Sequence, residues 1–189
     1  MTSLDHRFVA WFSGLDLPLV TPLAKALSII GLSGAVFIVI ALVISIRRRR
    51  PTPLLATALA VIVSEPLSTI FKRLAGRPRP SESYPDVHPL IDLPTSNAMP
   101  SGHAFVCFAA AVALSAGVPR ARVPLVTLAA LIALSRVYLG VHYLSDVIVG
   151  AVCGTVVGML VVWSLRLVHP HVRARYDRNR GQQSQPDTQ

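Results

Sequence analysis

The chain has 189 residues, of which 52% are hydrophobic and only 14% charged, against roughly 25% charged in a soluble domain. That balance excludes an ordinary soluble enzyme and leaves one compact membrane domain. The net charge of +9 is gathered in short clusters between apolar runs, as in the cytoplasmic loops of a multispanning protein, so no nucleic-acid partner is expected.

Residues 1–26 are apolar but carry Asp16, Pro18, Pro22 and Lys25, and read as an interfacial helix; a crossing here would add a sixth span. A charged n-region, an apolar core and a small-residue cleavage site do not occur in that order, so no cleavable signal peptide is expected. The first span is 27–46, closed by Arg47–Arg50. The second, 53–71, contains Glu65 and Pro66, which predicts a kink or an inward-facing carboxyl. Lys72, Arg73, Arg77 and Arg79 follow, in a segment broken by Gly76, Pro78 and Pro80. Lys72 is one of two lysines beside sixteen arginines. Such a cluster can anchor a helix at lipid head groups. Placing Arg47–Arg50 in the cytoplasm puts it on the external face, where anchoring cations are not favoured. An anion is then the better partner.

In 81–99, Glu82, Asp86 and Asp92 balance neighbouring arginines. Further spans are 102–118, 123–141 and 144–168, with Arg120 and Arg122 between the first two and a basic tail, 169–189, after the third. Spanning takes about 20 apolar residues in a helix. The expected fold is therefore an all-α membrane bundle of about five transmembrane helices over 27–168. Every interhelical basic cluster except that of 72–80 falls on the cytoplasmic side, as does the tail, whose last residues are expected to be disordered. Cys107 and Cys153 lie inside apolar runs and read as small hydrophobes. Gly150, Gly154 and Gly158 form a row that permits close helix contact, within the bundle rather than across a dimer seam.

Two further clusters join Lys72 and its arginines on the external face. Residues 99–105, MPSGHAF, open the span at 102. The first N–H groups of a helix lack intrahelical partners, and the dipole there favours an anion. Pro100 has no N–H to waste, Ser101 suits the N-cap, and Gly102 lets a ligand approach the backbone. Taken alone, this stretch is an ordinary cap beside a satisfied histidine. In SRVYLGVHYLSD, 135–146, His142 and Asp146 are four apart, so on a helix they share a face. The carboxylate can fix one ring nitrogen and aim the other as a nucleophile or base. Arg136 adds a fork that fits phosphate oxygens. Cations, helix N–H groups, two histidines and a carboxylate together suit phosphoryl transfer without a metal. A metal site built from His103, His142 and Asp146 fits poorly among so many positive charges.

These residues resemble the type 2 phosphatidic acid phosphatase family, the lipid phosphate phosphatases. The family signature, K-x6-R-P, then P-S-G-H, then S-R-x5-H-x3-D, reads here as Lys72 to Arg79–Pro80, Pro100–His103, and Ser135–Arg136 through His142 to Asp146. The resemblance implies that His142 attacks phosphorus, Asp146 orients it, and His103 protonates the leaving oxygen and then activates water. It also implies that Lys72, Arg79, Ser101, Gly102 and Arg136 hold the phosphoryl oxygens, with Arg77 a candidate extra contact and no cofactor or metal required. His6, His88, His169 and His171 have no partner in the signature. The short chain is similar to the small bacterial branch that hydrolyses undecaprenyl pyrophosphate, which implies an isoprenoid diphosphate or phosphate as substrate, met at the outer membrane face. Phosphatidic acid, phosphatidylglycerophosphate and glycosylated polyprenyl phosphates are alternatives. So is a non-catalytic relative that binds or transports phospholipid. The oligomeric state is left open.

Overall fold

The computed structural model describes residues 3–183, with side chains described over 4–167. Among the described residues every regular element is helical: α1 Ser3–Ser13, α2 Val20–Ile30, a 3-10 turn Leu32–Gly34, α3 Ala35–Arg48, α4 Thr52–Ala75, the single-turn α5 Pro80–Ser83, α6 Gly102–Gly117, a 3-10 turn Pro119–Ala121, α7 Arg122–Tyr138 and α8 Leu144–Gln183.

The expected spans fall on these helices with two differences, at 27–46 and at 102–118. The span at 27–46 is not one helix. It is α2 and α3, bent by 55° at a break where Ser33 (φ 48°) and Gly34 (φ 67°) take left-handed conformations. Gly31 beside the break has no room for a side chain, since a Cβ there would meet Ile132 Cγ2 at 2.3 Å. Hydropathy is blind to such a break because the residues around it stay apolar. With the bent pair counted as one crossing, four segments are long and apolar enough to span, and α6 is a shorter apolar helix of 16 residues, about 24 Å long. Pro66 does not interrupt α4, which runs continuously from 52 to 75. α1 has 11 residues, about 16 Å of helix, too short to cross. It packs Val9 against Val87, Val137 and Tyr143.

The bundle is built around α6. Its alanines Ala104, Ala109, Ala110, Ala111 and Ala113 are all buried, and it touches α4, α7 and α8. Small side chains let the surrounding helices approach closely, which is how packing is gained where lipid removes the hydrophobic drive between helices. Gly154 is the closest approach: a Cβ there would sit 2.0 Å from the Phe105 carbonyl oxygen, and at Gly150 and Gly158 the corresponding distances to Ser101 and Ala109 oxygens are 2.7 Å. The glycine row thus seats α8 on the α6 backbone. Outward positions such as Ile62, Leu74, Val152 and Trp163 are exposed, as a lipid-facing surface requires.

The two ends of the bundle differ. Arg48 Nη1 donates to the Gly117 carbonyl at 2.9 Å, so the Arg47–Arg50 and Arg120–Arg122 clusters share one end. The other end gathers the end of α4, the start of α6, the end of α7 and the start of α8, which carry the three signature segments. The basic tail belongs to the far end of α8, and residues 184–189 lie outside the described residues.

Candidate active site

At that second end, a cavity of ≈ 750 Å³ is lined by Lys72, Arg79, Gly102, His103, Arg136 and His142, among others. Six residues singled out from sequence therefore face one space. Each is placed by a local device. α4 ends at Ala75 because Gly76 (φ 58°) adopts the left-handed cap conformation that glycine enters without steric cost. Its N–H donates to the Lys72 carbonyl at 3.1 Å, and Asn97 Nδ2 donates to the same oxygen at 3.0 Å. Lys72 Nζ in turn donates to the Asn97 carbonyl at 2.8 Å. The lysine is thus clasped by a loop residue that the signature does not include.

Arg79 is 1% exposed. Nε donates to the Pro94 and Ser96 carbonyls at 3.0 and 2.9 Å, and Nη1 to the Val141 carbonyl at 2.7 Å. Neutral carbonyls hold the guanidinium without cancelling its charge, so a positive centre stays aimed at the cavity. Arg136 is buried and donates from Nη1 to the Ser28 hydroxyl, while its Nε has no partner among the described residues. Ser28, on α2, also accepts on its carbonyl from His103 Nε2 at 3.0 Å. A carbonyl only accepts, so Nε2 carries the proton and Nδ1 is the nitrogen left for a substrate.

His142 precedes α8 and is 2% exposed. Its Nδ1 lies 3.4 Å from Asp146 Oδ2, long for a hydrogen bond, which leaves Nε2 for the cavity. The same oxygen accepts from the Tyr143 N–H at 2.9 Å. Burial first, then the charges of Arg79, Lys72 and Arg136, hold His142 well below the usual imidazole range. The ring is neutral at pH 7, the form with a lone pair to donate.

Three sequence candidates stand apart from the cavity lining, Asp146 behind His142 and two more, Ser101 and Arg77. Ser101 is the N-cap of α6, but its hydroxyl makes no capping bond; it is buried with no partner among the described residues, and its N–H is taken by the Asp146 carbonyl at 3.0 Å. Arg77, expected as an extra phosphate contact, lies behind the histidine. Nη1 donates to Asp146 Oδ1 and Nη2 to Asp5 Oδ2 at 2.8 Å, with the guanidinium 3.7 Å above the Tyr143 ring. Two carboxylates and an aromatic face occupy it, so it is not free for an anion. His6, unpartnered in the signature, pairs with Asp86 at 2.9 Å and stacks on Tyr84. The side chains of His169 and His171 lie outside the described residues. Among the described residues no group of three His, Cys, Asp or Glu side chains converges as a ligand set.

Asp5, Ser28, Asn97 and the cavity-lining Glu65 are the residues that sequence reasoning did not connect to the site. Only Glu65 left a trace, as a carboxylate inside an apolar span.

The fold and site together define an integral-membrane, all-helical hydrolase of phosphoric esters with a histidine–carboxylate pair facing buried cations. The pattern that defines the PAP2 superfamily matches residues 52–169, and the chain belongs to that superfamily; it is a PAP2-type lipid phosphatase. It is 37% identical over 151 residues to decaprenylphosphoryl-5-phosphoribose phosphatase of Mycobacterium tuberculosis, covering 78% of this chain and 81% of that one. A more partial likeness, 29% identity over 56% of this chain and 52% of the other, is to the bacitracin transport permease protein BcrC of Bacillus licheniformis. Among solved structures, Aquifex aeolicus LpxE superposes with TM-score 0.73 at 27% identity, covering 85% of this chain and 96% of that one. The transmembrane PAP2-type phosphatidylglycerolphosphate phosphatase of Bacillus subtilis superposes with TM-score 0.67 at 24% identity, covering 84% and 83%, a likeness of fold.

Proposed function

We propose that this chain removes a terminal phosphate from a polyprenyl-linked carrier lipid at the extracytoplasmic face, through a phosphohistidine on His142. The observation that carries this reading is the juxtaposition of a neutral, carboxylate-backed His142 with Lys72, Arg79 and Arg136 around one cavity. His142 Nε2 attacks phosphorus, and its Nδ1 proton stays on the Asp146 side. The P–O bond to the leaving oxygen breaks as that oxygen takes a proton from His103 Nδ1. His103 enters the step doubly protonated beside the anionic phosphate and leaves it neutral, its Nε2 proton still donated to the Ser28 carbonyl. Water then attacks the phosphohistidine, His103 takes its proton, and the P–N bond breaks to release phosphate. Lys72, Arg79, Arg136 and the Gly102 N–H hold the phosphoryl oxygens as charge builds, without reorganising. Ser101 contributes its uncommitted hydroxyl from the edge of the site.

Two features favour a phosphorylated sugar as the head group over the diphosphate expected from sequence. One is the decaprenylphosphoryl-5-phosphoribose phosphatase of M. tuberculosis among the relatives. The other is Glu65, the single carboxylate among the described residues that line the cavity, accompanied there by the hydroxyl residues Ser33, Ser68 and Thr69. Glu65 lies two helical turns before Lys72, about 10 Å along the axis. A carboxylate there accepts hydrogen bonds from sugar hydroxyls and repels a second phosphate. The diphosphate reading rests instead on Arg73, a further cation on the lining.

The test is phosphate release in detergent with EDTA present, from a polyprenylphosphoryl pentose phosphate, a polyprenyl diphosphate, phosphatidic acid and phosphatidylglycerophosphate. The pentose phosphate is expected to have the highest kcat/KM, and Glu65→Gln to narrow its lead over the diphosphate. A wild-type preference for the diphosphate that Glu65→Gln leaves unchanged refutes the sugar reading. The orientation has its own check: a cysteine placed in 85–95 should react with impermeant thiol reagents in intact cells, and one in 178–188 should not.

A further inference from the structure

Behind the His142 ring, on the side away from the cavity cations, lies a second charged cluster that the proposed chemistry does not use. Asp146 Oδ1 accepts from Arg77 Nη1, and Asp5 Oδ2 accepts from Arg77 Nη2 at 2.8 Å. Ser145 ties the remaining atoms together: its N–H donates to Asp5 Oδ1 at 3.2 Å, its hydroxyl to Asp5 Oδ2, and its oxygen accepts from Arg77 Nη1 at 2.7 Å. The side chains are at most a tenth exposed: Arg77 10%, Asp5 9%, Asp146 0%. A buried ion pair with nothing beyond it is expensive and weakly stabilising. Here the arrangement is a row of three, carboxylate–guanidinium–carboxylate, with the histidine at one end.

The charge count is what matters. Arg77 and Asp146 alone sum to zero, so the carboxylate behind His142 would already be neutralised by a bidentate-capable cation. With Asp5 the row carries one net negative charge. That charge lies next to the ring which becomes cationic when Nε2 bonds to phosphorus, and it offsets Lys72, Arg79 and Arg136 crowding the other side.

We propose that Asp5, on the N-terminal helix, is a positioning residue for the phosphatase reaction: by sharing Arg77 it keeps Asp146 free to hold and stabilise the His142 ring. The superfamily match begins at residue 52, so the residue that completes the charge balance comes from outside the matched segment. α1 is thereby part of the active machinery rather than a membrane anchor only. The inference rests on His142 being the nucleophile.

The test is steady-state kinetics of the full-length protein in detergent with phosphatidic acid and with p-nitrophenyl phosphate. Asp5→Asn is expected to lower kcat about 10- to 100-fold, the usual cost of losing an outer group that holds a functional histidine, with KM within about twofold. Pairing it with Arg77→Gln restores the single negative charge on Asp146, and this double variant is expected to turn over faster than either single one. A purely structural contact predicts the opposite, a double variant no better than the worse single. Unchanged kcat in Asp5→Asn, or a double variant at or below the worse single, overturns the proposal. Should Asp5→Asn fail to fold, Ser145→Ala removes the hydroxyl that donates to Asp5 and accepts from Arg77, loosening the Asp5–Arg77 pair, and the same split applies: kcat down at constant KM supports, kcat unchanged overturns. His142→Ala runs alongside. If it retains turnover, the nucleophile assignment fails, which is a separate result from an Asp5 variant that behaves as wild type.

Discussion

Arginine crowds both ends of this bundle, and the two ends use it in opposite ways. At the end away from the site, Arg47–Arg50, Arg120 and Arg122 are all exposed, where water and salt screen them. At the site end, Arg79 and Arg136 are 1% and 4% exposed and held by carbonyl and hydroxyl oxygens rather than by acids. An exposed cluster acts through its total charge and tolerates exchange of its members. A buried guanidinium acts through where each N–H points, and its desolvation is offset only by the partners it meets and the anion it receives. On the proposed reading, one residue type serves membrane topology at one end and phosphate chemistry at the other.

The largest effect expected of any change at the site end is from His142→Ala, which should cost at least about 10⁴-fold in kcat and abolish acid-labile labelling of the protein by a radioactive phosphate donor. Residual labelling at wild-type level would remove the chemical half of the contrast. Next, Arg136→Lys keeps the charge and loses the fork, and a loss of about 10²–10³-fold in kcat/KM is expected. A lysine that serves equally well would mean that charge alone matters at both ends.

A smaller effect separates packing from charge. Gly154→Ala forces a methyl into the Phe105 carbonyl, and should cost about 1–3 kcal/mol of stability, read as a lowered thermal midpoint in detergent. The pH dependence follows from His142. Its folded value lies well below the ordinary imidazole range, near 6.5 when unfolded. Between those values the unfolded chain binds more protons, so stability is fully present above about pH 6.5 and falls with acidity, by at most about 1.4 kcal/mol per pH unit. In His142→Asn that part of the slope between pH 5 and 7 should vanish. Asp5 acts in the same direction at lower pH: burial alone would raise its carboxyl, but the Arg77 and Ser145 bonds outweigh that and lower it. The smallest effect belongs to the other end. Replacing Arg47–Arg50 with glutamine should leave turnover in detergent within roughly twofold, as for surface substitutions generally, while disturbing orientation in cells.

The candidate site is readable in sequence wherever its proposed chemistry runs along the chain. Lys72, Arg79, Gly102, His103, Arg136, His142 and Asp146 announce themselves by residue type and spacing, and the spans by length and hydropathy. What spacing cannot reveal is who stands opposite whom. Asp5 meets Arg77 across 72 positions, and Ser28 meets Arg136 across 108; both are common residues in segments that read as merely apolar. Arg77 was misplaced for the same reason. Its neighbours in sequence are other cations, and only the fold turns it away from them toward two carboxylates. The break at 31–34 escaped because a left-handed serine leaves no mark on hydropathy.

That break sets the kinetics in which this enzyme must be measured. Ile29 and Leu32 line the cavity and are also 71% and 60% exposed, so the proposed phosphate site has an exposed apolar edge, the kind of surface a lipid tail covers. A substrate arriving over that edge travels in a sheet, with its tail never leaving lipid. The quantity that governs its rate is then the mole fraction in the membrane, not molarity. Diluting the substrate with neutral detergent at constant bulk concentration should slow turnover in proportion, whereas p-nitrophenyl phosphate, which comes through water, should be indifferent.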